Sequence, residues 1–185
     1  MPFKPKTAKP PLDTAGLLEF AVRSLSSKMK SIRDLRRKMA ERAEPGEAGE
    51  VAVEAVILKL KDLGYLSDER FAADYTRMRQ ENEKFGRRRV QQGLMQKGIA
   101  APLVNETLGK AYDDLDEVAL ARAYIARKRM KQPAGDAEKK QKETAKAMRR
   151  LIAAGFTTKT IWKVLRDWGA ELEEADLEDS ESVDE

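Results

Sequence analysis

The chain has no cysteine and no histidine among its 185 residues. Disulfides are therefore excluded, as are zinc sites built on Cys and His, a Ser-His-Asp triad and a Cys-His pair. Aromatic residues make up only 6%, which suits helices packing on neighbours better than one thick core. Hydrophobic content of 41% still exceeds what a wholly disordered chain would carry. No apolar run approaches the roughly 18 residues of a membrane span. There is no glycine-rich phosphate loop of the Walker type and no EF-hand pattern. The acids sit mostly at expected helix starts and in loops, where capping and solvation explain them. The chain is therefore not expected to be an enzyme, and no catalytic residue, cofactor or metal is expected. Lys4, Lys6 and Lys9 lie among prolines with no apolar segment after them. That is unlike a secretory signal, and a cytoplasmic location is expected.

What the chain does have is charge, unevenly placed. All 36 Lys and Arg lie in residues 1–170, against 23 acids there. Residues 171–185 carry 9 acids and no base. A body of net +13 with an acidic tail points to a polyanion, or an acidic protein face, as partner. Composition does not separate that reading from lysines that merely keep a helical protein soluble.

Apolar spacing of three and four recurs along the whole chain and predicts helices throughout. Residues 1–12 hold four of the seven prolines and are expected to be a flexible leader. Asp13 or Thr14 caps a first helix with Leu17, Leu18, Ala21, Val22 and Leu25 inside. Ser31 caps a second, with Ile32, Leu35 and Met39 inside. The third buries Val53, Val56, Ile57, Leu60 and Leu63, and Gly64 closes it. Ser67 caps a fourth, striped with Phe71, Ala72, Tyr75 and Met78. A fifth follows Gly86, with Val90, Leu94 and Met95 inside and Gly98 at its end. The sixth opens with Pro102 and buries Val104, Leu108 and Tyr112. A seventh begins among Asp113, Asp114, Asp116 and Glu117, and ends in Arg127, Lys128, Arg129 and Lys131. An eighth runs to Ala154 with Ala147, Met148, Leu151 and Ile152 inside. The ninth starts at Thr157 or Thr158, with Ile161, Trp162, Leu165 and Trp168 as candidates for burial.

Nine helices fall into three groups of three. Phe20, Phe71 and Tyr124 hold like places in each first helix, 51 and 53 residues apart. The expected architecture is all-α: three tandem three-helix repeats over 13–64, 65–112 and 113–170, stacked in an elongated, curved array. The acidic tail over 171–185 is expected to be disordered. A single irregular helical bundle is the alternative.

Two basic clusters stand out as binding candidates. Lys84, Arg87, Arg88 and Arg89 form a hinge between the fourth and fifth helices, with Lys97 beyond. Three consecutive arginines fan around a helix and cannot all pair locally. Arginine forks suit phosphates and carboxylates, and cations at a helix start oppose its dipole, so a compensating partner is expected. The second cluster, Arg127, Lys128 and Arg129, reads equally as a binding face or as the cationic end of a helix.

The run Gly64-Tyr65-Leu66-Ser67-Asp68-Glu69-Arg70-Phe71-Ala72, with Tyr75 and Arg79, resembles the RecX family of recombination regulators. So does Gly86-Arg87-Arg88-Arg89-Val90, followed by Leu94 and Lys97-Gly98-Ile99. The motifs cover the middle third of the chain. Gly93 stands where that family usually has an acid, and Arg87 replaces a common proline. The resemblance implies an all-helical protein of three repeats that binds the RecA recombinase filament and restrains it. It also implies DNA, single-stranded or duplex, as a secondary partner. No membrane is expected to be involved, and the protein is expected to be a monomer. The alternatives are a nucleic-acid-binding protein acting without RecA, and a helical adaptor for another acidic protein.

Overall fold

The computed structural model describes residues 10–168. Among these residues it contains nine α-helices and no strand: α1 (Thr14–Ser27), α2 (Ile32–Ala40), α3 (Glu47–Asp62), α4 (Asp68–Glu81), α5 (Arg87–Gln96), α6 (Ala101–Tyr112), α7 (Glu117–Arg127), α8 (Ala137–Ala153) and α9 (Thr158–Arg166). The chain is all-α, as its periodicity predicts. The acidic tail over 171–185 lies outside the described residues.

Helix starts sit where short polar side chains can take up a free N–H. Asp13 accepts from Gly16 N at 2.8 Å, Ser31 from Asp34 N at 3.2 Å, and Ser67 from Arg70 N at 3.0 Å. Asp116 accepts from Val118 N and Ala119 N, and Asp136 from Lys139 N. Arg70 occupies the place where a capping box would put an acid. Its guanidinium instead donates to the Gly64 carbonyl, just past the end of α3.

The described chain divides into two compact units. The first holds residues up to Phe71 together with Lys97–Ile99. There α1, α2 and α3 pack on one another around Leu17, Ala21, Leu35, Met39, Val53, Val56, Ile57, Leu60 and Leu66. Each of these side chains larger than alanine stabilises by roughly 1.5–3 kcal/mol when fully buried. The start of α2 is fastened twice more. The buried Ser31 hydroxyl donates to the Lys97 carbonyl at 2.7 Å, and Ile32 N donates to Asp68 Oδ1 at 2.9 Å. Lys97 Nζ pairs with Asp34 at 2.7 Å. Both motif segments therefore meet at one helix terminus, and packing accounts for much of their residue choice. Burial also pushes the Asp68 carboxyl above its usual range.

The second unit holds Ala72–Gln96 and the residues from Ala100 on. Here α5 packs on α6, while α9 packs on both α7 and α8. Phe156, Leu94, Leu108, Leu151, Ile161 and Leu165 are fully buried. Glu117, in the first turn of α7, accepts from Thr157 N at 3.1 Å and from the Thr157 hydroxyl at 2.5 Å. It also accepts from the Thr160 hydroxyl, so it fastens the start of α9.

Five side chains expected inside are exposed: Val22, Leu63, Met78, Met95 and Ile152. They sit at the edges of their apolar stripes. Leu94 is fully buried while Met95, one residue or about 100° further round α5, is 54% exposed. The neighbouring helix covers a narrower face than the apolar pattern spans. Trp162 and Trp168 are each half-buried. Val164 and Phe156, which the spacing did not single out, are buried.

Candidate functional site

The α4–α5 turn is built by backbone geometry. After Glu81 the chain leaves α4 through Lys84, at φ 57°, and Phe85 N closes the turn on the Arg79 carbonyl at 3.2 Å. Then α5 begins against the end of α8. Gly86 N donates to Ala154 O at 2.9 Å, and Arg88 N to Gly155 O at 3.3 Å. Free N–H groups of one helix start thus meet free carbonyls of another helix end, and opposite partial charges face each other. The backbone N–H groups at the start of α5 are thereby satisfied by the carbonyl end of α8.

This contact dictates two glycines. A Cβ on Gly86 would lie 2.3 Å from the Gly155 carbonyl oxygen. A Cβ on Gly155, itself at φ +88°, would lie 2.2 Å from Arg89 N. Gly93 has a different reason: the Tyr75 hydroxyl lies where its Cβ would be, at 2.2 Å. The absence of an acid at 93 therefore goes with a tyrosine laid across α5, and the Arg79 guanidinium lies 4.9 Å from that ring.

Seven of the eight candidate binding residues lie in the second unit. Lys84 comes from the α4–α5 turn, Arg87, Arg88 and Arg89 from the first turn of α5, and Arg127, Lys128 and Arg129 from the end of α7 and the residues just past it. Glu83 links the two groups, 3.7 Å from both Arg127 and Lys128. Beneath them Phe85 and Tyr124 have ring centroids 6.3 Å apart, and Tyr124 meets Phe156 edge-on at 5.7 Å. Arg89 lies 5.9 Å from the Phe85 ring and Lys128 5.8 Å from the Tyr124 ring, distances at which a cation is attracted to a ring face. Arg87 is already paired, with Asp113 at 2.5 Å. Both partners are largely solvated, so that pair is worth under about 1 kcal/mol. The eighth residue, Lys97, belongs to the first unit and holds Asp34.

Glu83, Phe85, Tyr124 and Phe156 complete the cluster, and the charge pattern did not single them out for it. The signal for Phe85 was its place within the basic hinge; Glu83 and Tyr124 show their relation only in three dimensions. Beside the cluster, a cleft of about 380 Å³ is lined by Arg87, Arg88, Gln91, Tyr112, Leu115, Glu117, Gly155 and Thr157. The Tyr112 hydroxyl is committed to the Phe85 carbonyl at 2.9 Å, and burial raises its pKa. Among the described residues no cluster of acids could hold a metal, and no helix is long and apolar enough to cross a membrane.

These features place the molecule among small, basic, all-helical proteins with a charged surface gathered on one unit. Residues 67–108, spanning α4 to α6, match the model of the RecX second three-helix domain. The chain is 34% identical over 148 residues to a regulatory protein RecX of Leptothrix cholodnii, covering 79% of this chain and 85% of that one. It is 30% identical to that of Deinococcus radiodurans (90% and 74% covered) and 36% identical to that of Escherichia coli (62% and 70%). The crystal structure of RecX from Lactobacillus salivarius shares the fold, with a TM-score of 0.62 at 20% identity over 85% of this chain and 97% of that one. The chain belongs to the RecX family of regulatory proteins.

Proposed function

We propose that this chain acts on the RecA recombinase filament, binding it on DNA and restraining its recombination and ATPase activities. The observation that carries the reading is that Glu83, 3.7 Å from both Arg127 and Lys128, joins the basic end of α7 to the segment that carries Lys84, Arg87, Arg88 and Arg89. Such a face suits the polyanion at the heart of a recombinase filament. The protein needs no catalysis of its own; any ATP hydrolysis belongs to the recombinase. It acts in the cytoplasm as a monomer, and its helices work as three tandem repeats.

The test is RecA-dependent ATP hydrolysis and strand exchange on single-stranded DNA, titrated with the purified protein. Inhibition at substoichiometric amounts or modest excess is expected. Triple replacement of Arg87, Arg88 and Arg89 by alanine is expected to weaken it. No effect of the native protein even at low salt overturns the proposal.

A second reading, a nucleic-acid-binding protein acting without RecA, draws on the same cluster. It predicts affinity for naked DNA that falls steeply with salt, and no RecA retention without DNA. A salt-resistant pull-down of RecA in the absence of DNA decides against it.

A further inference from the structure

Three glycines, Gly64, Gly98 and Gly155, take positive φ just past the ends of α3, α5 and α8. That is the usual residue for such a place, because an L side chain in the left-handed region crowds its own backbone. Two described residues that are not glycine also take positive φ: Lys84 at 57° and Arg129 at 48°. Both are basic, and both stand just past helix ends, of α4 and α7. Arg129 closes the same turn as Gly155. Arg129 N donates to Ala126 O and Met130 N to Ile125 O, as Gly155 N donates to Ile152 O and Phe156 N to Leu151 O. The turn itself calls for glycine, so the side chains at 84 and 129 are held against a backbone preference.

The two positions are also neighbours of a shared contact. Glu83, next to Lys84, is the partner of Lys128, next to Arg129. Strained backbone that coincides twice with the same charge, on two segments brought together, is a pattern expected where side-chain identity serves a ligand. We propose that Lys84 and Arg129 are direct contacts for the phosphate backbone of a nucleic acid. Arg127, Lys128 and Arg89 are held beside them by Glu83 and by the Phe85–Tyr124 rings.

A nucleic acid fits this surface better than an acidic protein. Protein interfaces carry apolar or aromatic residues at their centre and are depleted of charge there. The exposed large apolar residues, such as Val51, Leu58, Tyr65 and Met95, are all outside segments 83–89 and 124–131. Every exposed residue in those segments except Ala126 is Arg or Lys. This inference rests on the reading that the basic face meets a polyanion, and goes further in naming the contacts and the ligand.

The test is the full chain carrying Lys84→Gly and Arg129→Gly together. It is compared with the native protein and with Lys59→Gln/Lys61→Gln, which removes the same charge from α3. Binding to a fluorescent oligo-dT is measured across a salt series, and urea unfolding alongside. The glycine variant is expected to unfold at equal or higher urea, since the turns prefer glycine, yet to bind oligo-dT at least several-fold more weakly. Its salt dependence should be shallower by about 1.4 in the log–log slope, the loss of two phosphate contacts on a single strand. Unchanged affinity overturns the inference while leaving RecA regulation standing. An equal loss in the α3 control overturns it too, since charge alone then explains the effect. Lower stability together with weaker binding also overturns it, because the two residues are then structural. No oligo-dT binding by the native protein at low salt overturns the nucleic-acid assignment. RecA inhibition measured in parallel then decides separately whether the proposed function survives.

Discussion

Gly86 and Gly155 meet backbone to backbone, with the first N–H groups of α5 donating to the last carbonyls of α8. Sixty-nine positions apart in the chain, they let two helix ends approach as no side-chain-bearing pair could. The arginines that follow Gly86 are placed on a surface by this joint, so its integrity bears on both fold and function.

Gly155→Ala should be the more damaging of two matched substitutions. It puts a Cβ against Arg89 N and strains a φ of +88°, and a loss of at least about 2 kcal/mol is expected. Gly64→Ala is the control, since it closes the same kind of turn past a helix end at φ +71° but has nothing within 4 Å of the added carbon. Its cost should be near the bare backbone penalty, about 1 kcal/mol. Urea unfolding of both variants measures the difference, and equal losses would show that the close approach carries no energy.

Gly93 and Tyr75 should behave as a coupled pair. Alanine in a helix interior is better than glycine by about 1 kcal/mol, but at 93 its Cβ would meet the Tyr75 hydroxyl. Gly93→Ala is therefore expected to destabilise the native background and to stabilise a Tyr75→Ala background. A double-mutant cycle by urea unfolding reads the coupling directly. Additive effects would rule out the steric account.

Asp68 makes a prediction in pH. Burial raises its carboxyl above the usual value in the folded protein, outweighing the hydrogen bond from Ile32 N. Folding therefore favours the protonated group. Its contribution is fully present below the unfolded value of about 3.8 and is lost as pH rises through the folded value. Asp68→Asn keeps an acceptor for Ile32 N without the buried charge. It should be at least as stable as native at pH 7, with the advantage shrinking as pH falls toward 3. Asp68→Ala loses the cap and about 1 kcal/mol. Denaturant midpoints at several pH values test the ordering of the three proteins.

How much of this was legible in the chain depends on range. Asp13, Ser31, Ser67 and Thr157 mark helix starts because a cap is a bond to an N–H two or three residues on. Helical periodicity likewise marks Leu17, Leu35, Leu60 and Leu94 as core, and all four are fully buried. The pattern overreached at Met95 and Leu63, because spacing reports which way a side chain points and not how far a neighbouring helix extends over it. For the basic residues, charge pattern marks the segments but not their relations in space. Lys97 is committed by Asp34, 63 positions away, which holds it by an ion pair. Glu83 joins the hinge to Arg127 and Lys128 only when α4 and α7 end side by side. Local chemistry, carried by bonds within a turn of helix, is written in the order of residues. The face that gathers cations from two distant segments exists only after burial of apolar stripes brings those segments together.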